Sequence, residues 1–162
     1  MTMVSAFNPR ELEMKVKAMY RDVAENPHGE FHFEMGRGLA ERLGYAAPDL
    51  DRIPAQSIDS FAGVGCFFHL ADLKNGETVI DLGSGSGMDT FIAGLKVGPS
   101  GKVTGIDMTD EQLNKAERLR DQAGFSNVAY LKGYIENVPL PGGTADAVIS
   151  NGVINLATDK AR

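Results

Sequence analysis

At 162 residues the chain is long enough for one hydrophobic core of ordinary size and short for two. Its net charge of -6 argues against the basic groove of a nucleic-acid binder and against an anionic membrane surface, and no apolar run approaches the ~20 residues of a membrane span. The single cysteine, Cys66, permits no internal disulfide and no thiolate zinc cluster, and with no signal-peptide core the expected setting is the reducing cytoplasm.

The first third reads as helical. From Glu11 to Ala24, apolar side chains at 12, 16, 19, 20 and 23 fall on one helix face, and Pro27 with Gly29 ends the run. A shorter helix is predicted from Glu34 to Leu43 with Gly44 as its C-cap, and another from Ala55 to Phe61. Pro48 and Pro54 mark connections. Residues 1–72 thus form a helical cap and connection ahead of a second part, 73–162. His28 and His32, with Glu30 and Glu34 interleaved, carry the i, i+4 spacing of metal ligands, but Pro27 and Gly29 oppose a regular helix, and no metal is expected. His28, Glu30 and His32 remain candidates for a catalytic base. Cys66 reads as a small buried hydrophobe, with a displaced substrate thiol as the sharper alternative. His69 reads as structural.

From Glu77 strands and helices alternate: strand 77–82, helix Met88–Val97, strand 102–107, helix from Thr109 to Ala123, strand 128–132 and strand 145–150. Thr109 and Gln112 carry the spacing of a capping box, and Gly124 stops that helix. The alternation predicts βαβ crossovers and a parallel sheet, whose ligands sit beyond the carboxyl ends of the strands. Asp81, Asp107, Gly133 and Asn151 all fall at such ends. Between the first strand and its helix lies Asp81-Leu82-Gly83-Ser84-Gly85-Ser86-Gly87. Glycines there free the backbone for left-handed turns and for close approach of a ligand. Asp107, twenty residues past Gly87, is placed to accept hydrogen bonds from two ribose hydroxyls. Together they predict an adenosyl cofactor. A dinucleotide would want a further glycine where Met88 or Thr90 stands, so a nicotinamide oxidoreductase is the weaker alternative.

The Asp-x-Gly-x-Gly-x-Gly pattern resembles the first motif of class I S-adenosylmethionine-dependent methyltransferases. Ile80 to Asp89, Val103 to Thr109, Gly133 to Glu136 and Ser150 to Leu156 are, more narrowly, similar to the arsenite methyltransferase lineage over residues 58 to 160. The resemblance implies a Rossmann-like parallel sheet and S-adenosyl-L-methionine as cofactor. It sets Asp81 near the methionine ammonium, with the loop of Gly83, Ser84, Gly85 and Gly87 curving round the methionine moiety. Met108 flanks the adenine, and Gln112 reaches the ribose or adenine side. Ile135 and Glu136 bind the adenine edge, Asn151 lies beside the methionine portion, and Tyr20 closes over the cofactor from the cap. The chain departs from the lineage where family cysteines fall: within Asn26 to Phe33, at Val64 and at Gly152 no cysteine stands.

The expected activity is methyl transfer to a small acceptor. A genuine arsenite methyltransferase, using glutathione thiols or cysteines beyond residue 162, is one alternative, and a non-catalytic cofactor-binding module is another. The family sheet has three further strands beyond the one at 145–150, and Asn155 to Arg162 can at most begin the next helix. The C-terminal strands are therefore expected to be missing. Val148 and Ile149 would then lie on an exposed edge, open to a second copy of the chain.

Overall fold

A computed structural model describes residues 8–157; the expectations for the extreme N-terminus and for residues 158–162 lie outside the described residues. The first helix, α1 (Pro9–Glu25), begins where Asn8 accepts a hydrogen bond from the Arg10 N–H at 3.1 Å and Pro9 supplies a fixed φ at no cost in hydrogen bonds. It buries Val16, Val23 and Ala24. Its ion pair Lys15–Glu11, at 2.7 Å, is exposed and screened by solvent. Burying one valine is worth about 1.5–3 kcal/mol, so packing rather than charge seats this helix.

Four short helices follow: α2 (Gly36–Leu43), α3 (Ala47–Leu50), α4 (Ala55–Asp59) and α5 (Phe68–Ala71). Gly44 ends α2 in the left-handed region at φ 101°, as its sequence position predicts. One reading is corrected here. Pro48 lies inside the first turn of α3, where its missing N–H is harmless, rather than in a connection. Neither α3 nor α5 has the length that gives a periodic signal.

The second part alternates as predicted: β1 (Thr78–Leu82), α6 (Met88–Val97), β2 (Lys102–Asp107), α7 (Asp110–Ala123), β3 (Val128–Lys132) and β4 (Ala147–Ser150). The four strands are parallel in the order β3-β2-β1-β4. The fold is Rossmann-like α/β. The direction of winding reverses between β1 and β4, the place where such sheets bind ligands. Val79, Val103, Val128 and Tyr130 share one face, and Met88, Phe91, Ile92, Leu113, Ala116 and Leu119 of α6 and α7 pack against it. On the other face, Ile80 and Ile106 are buried but Val148 is 58% exposed. Among the described residues, β4 pairs only with β1, so its outer edge is open as predicted, but Ile149, expected to be exposed with Val148, is partly buried against the core.

The capping box is not formed. Thr109 is the N-cap of α7 but makes no side-chain capping bond. Gln112 is 1% exposed and its side chain is committed elsewhere, to Ser86 and to the Tyr20 carbonyl.

Candidate functional site

The loop between β1 and α6 passes through Gly83, Gly85 and Gly87 at φ 72°, 55° and 95°. At Gly87 there is also no room: an added Cβ would meet the Tyr130 hydroxyl at 2.1 Å. At Gly85 an added Cβ would meet nothing nearer than Gln112 at 3.8 Å, so that residue opens onto free space. The tight turn therefore needs both glycines, and Gly85 also leaves a concavity at the sheet's carboxyl edge.

Two chambers meet there. The larger, about 310 Å³, is walled by Tyr20, Asp107, Met108, Gly133, Ile135 and Glu136, among others. The smaller, about 60 Å³, is walled by Asp81, Ser84, Gly87, Asp89, Gln112 and Asn151, among others. Tyr20, Gly83, Gly85 and Val153 belong to both, so the two run together. Of the residues singled out in the sequence, Tyr20, Asp81, Gly83, Ser84, Gly85, Gly87, Asp107, Met108, Gln112, Ile135, Glu136 and Asn151 all line one chamber or the other.

Asp107 ends β2 with its carboxylate fixed: Oδ2 accepts from the Gly85 N–H at 3.0 Å and Oδ1 from the Thr109 N–H at 2.9 Å. Burial raises its pKa, against these hydrogen bonds. Asp81, 2% exposed, accepts from the Thr90 hydroxyl at 2.6 Å. Its pKa is raised by burial first and by the neighbouring Asp89 second. Among the described residues, no lysine, arginine or histidine is ion-paired with Asp81, Asp89 or Asp107. The Ser84 hydroxyl is buried without a protein partner. The cavity is thus acidic and short of a cation, a setting that suits a positively charged ligand and opposes a pyrophosphate.

The N-terminal helices close this cavity from above. Gln112 ties the loop to the cap, accepting from the Ser86 hydroxyl at 2.5 Å and donating to the Tyr20 carbonyl at 2.9 Å. Lys115 donates to the Ala24 carbonyl at 3.2 Å and to Ser60 at 2.7 Å. Across the mouth, the Tyr134 hydroxyl donates to Glu13 at 2.8 Å and accepts from Lys17 at 2.7 Å. Sequence reasoning missed this clasp of α1 on the 133–137 turn. Its only local trace was the Glu13–Lys17 spacing, which reads equally as a solvated helix pair.

The chain's second part matches a family of known architecture. A model described as a methyltransferase domain covers residues 73–162. The chain belongs to that methyltransferase family. An arsenite methyltransferase of Halobacterium salinarum is 35% identical to it over 175 aligned residues, covering 99% of this chain and 44% of the relative. That of Aquipseudomonas alcaligenes is 45% identical over 103 residues, covering 59% of this chain and 30% of the relative. A crystal structure of an arsenic (III) S-adenosylmethionine methyltransferase from Chlamydomonas reinhardtii superposes with a TM-score of 0.60 at 37% identity, over 70% of this chain and 40% of that one. The chain spans less than half the length of each of these three.

The chain's main departure from the lineage is the absence of thiols where the family cysteines fall. Val64 and Gly152, where the lineage resemblance puts cysteines, adjoin in space: a Cβ on Gly152 would lie 3.4 Å from Val64 Cγ1. Neither carries sulfur. Cys66 lines a separate cavity with Leu43, Asp49, His69 and Lys96, and burial raises its thiol pKa. His28, Glu30 and His32 line neither chamber. Glu30 and His32 border an open cavity with Phe31 and Phe33 instead, so the structure does not bring the candidate bases to the site. Among the described residues no cluster of three or more histidine, cysteine or acidic side chains could hold a metal.

Proposed function

We propose that this chain binds S-adenosylmethionine across the two chambers and serves methyl transfer to a small acceptor. The observation that carries the reading is one cavity with a fixed ribose-type carboxylate, Asp107, on its larger side and the unpaired carboxylate of Asp81 on its smaller side. A dinucleotide would bring phosphate charge to this acidic wall, whereas the sulfonium and ammonium of S-adenosylmethionine bring the missing cation. Met108, Ile135 and Glu136 hold the adenine, and Tyr20 covers it from α1. Ser84 and Asn151 serve the methionine end. When bound, the cofactor supplies a methyl carbon already activated by its sulfonium. The protein's part is alignment and exclusion of water, together worth about 7–11 kcal/mol.

A soft nucleophile as acceptor needs no strong base, which agrees with His28, Glu30 and His32 lining neither chamber. Arsenite is disfavoured by the absence of sulfur at positions 64 and 152. The exposed edge of β4 offers itself to a second copy of the chain, and the proposed setting is cytoplasmic; among the described residues no helix is long and apolar enough to cross a membrane. Residues 1–72 act as the cap and 73–162 as the cofactor-binding part.

The test is a screen of small thiols, phenols and arsenite with cofactor labelled in the methyl group. Label should pass to a thiol or phenol and not to arsenite, and Cys66→Ser should change nothing. Efficient formation of methylarsenite, lost in Cys66→Ser, would overturn the acceptor reading.

A further inference from the structure

The smaller chamber contains a carboxylate that the sequence motif does not include. Asp89 stands at the second position of α6, two residues past Gly87, and lines this chamber beside Asp81. Both of its oxygens are held by neutral donors. The Tyr45 hydroxyl donates to Oδ1 at 2.6 Å, and Asn151 Nδ2 donates to Oδ2 at 3.0 Å. These donors come from distant parts of the chain, just after α2 and just after β4. Asn151 is fixed in turn, accepting from the Val64 N–H at 2.8 Å and donating to the Gly65 carbonyl at 2.8 Å. An acidic residue kept only for the helix dipole would sit in water and need neither partner. Here the carboxylate is fixed in one place beside a second buried carboxyl group, Asp81, at a cost in desolvation. Ser84, 9% exposed, lines the same chamber.

We infer that Asp89 is a second carboxylate for the α-ammonium of the cofactor's methionine end, acting beside Asp81 and positioned by Tyr45 and Asn151. An ammonium has three donors, and two charged acceptors satisfy it where one would leave it underused. The inference rests on the S-adenosylmethionine reading above. It makes recognition of the amino-acid end separable from recognition of the adenosine, which falls to Asp107 and the larger chamber.

Calorimetry with two ligands tests it. S-adenosylhomocysteine carries the ammonium; 5′-methylthioadenosine has the same adenosine and thioether without the amino-acid end. In the 162-residue chain, Asp89→Asn should weaken S-adenosylhomocysteine at least tenfold and 5′-methylthioadenosine less than twofold. Tyr45→Phe keeps the charge but frees Oδ1, and should weaken S-adenosylhomocysteine three- to fivefold with the same selectivity. That second variant decides the matter if Asp89→Asn does not fold. A folded Asp89→Asn protein binding S-adenosylhomocysteine within twofold of wild type, or either variant losing both ligands in equal proportion, would overturn the assignment. Failure of the unmutated chain to bind either ligand would instead overturn the cofactor reading itself.

Discussion

Asp107 is the residue on which cofactor affinity should depend most. Its two oxygens are aimed by the Gly85 and Thr109 amides, so little ordering remains to be done when a ribose arrives. Asp107→Ala removes two charge-assisted hydrogen bonds, each about 1.5–3 kcal/mol, part of which water restores. Affinity for S-adenosylhomocysteine should fall roughly ten- to several-hundred-fold by calorimetry; a loss of less than twofold would contradict the ribose assignment. Asp81 gives a pH signature. Burial raises its pKa first and Asp89 second, while Asp107 and Tyr130 also face it and Tyr45 and Cys66 face Asp89. A raised carboxylate keeps its proton above the ordinary range, and a bound ammonium lowers the pKa again, so binding releases protons. Affinity should therefore rise with pH from the ordinary carboxylate range up through the raised pKa. Titrations in two buffers of different ionisation enthalpy should show that release, and it should shrink in Asp81→Asn. The residue scale was largely legible in the sequence, because positive-φ glycines and a carboxylate at a strand tip are local constraints. Asp89 was not, since its role depends on Tyr45 and Asn151, which are 44 and 62 residues away.

At the scale of elements, α1 and α7 decide whether the cavity has a roof. Gln112 is the joint: it connects the glycine loop, through Ser86, to the backbone of α1 at Tyr20. The same side chain looked like a capping-box partner in the sequence. A motif four residues long carries no information about a carbonyl 92 residues away, and burial at that carbonyl outbids a surface cap. Gln112→Ala would leave the buried Ser86 hydroxyl without its acceptor, open a cavity and remove the tie to the Tyr20 carbonyl, which keeps its helical hydrogen bond, at about 2–4 kcal/mol. Thermal unfolding should fall by about 5–15 °C, at the 2–4 °C per kcal/mol usual for chains of this size. Bound S-adenosylhomocysteine should recover part of the loss by mass action. An unchanged melting temperature would mean that the joint carries no load. The regular elements from β1 to β3 were readable because each is long enough to show a period, whereas α3 and α5 have four residues each.

For the whole molecule, the sheet order β3-β2-β1-β4 puts the glycine loop, Asp107 and Asn151 at one edge, with the helices of the first third folded over them. The open flank is on the opposite side of β4 from β1, where Val148 is 58% exposed. If a second copy pairs there, light scattering should give a concentration-dependent dimer, and Val148→Lys should return it to monomer; a wild-type chain monomeric at all concentrations would contradict that pairing. The central claim is that the acidic, two-chambered cavity of this chain takes an adenosyl sulfonium cofactor rather than a dinucleotide. Side-by-side calorimetry of the 162-residue chain with S-adenosylmethionine, S-adenosylhomocysteine and a nicotinamide dinucleotide tests it most directly. The account predicts one-to-one binding of both adenosyl ligands and no heat from the dinucleotide. Dinucleotide binding, or silence toward all three from a folded chain, would contradict it.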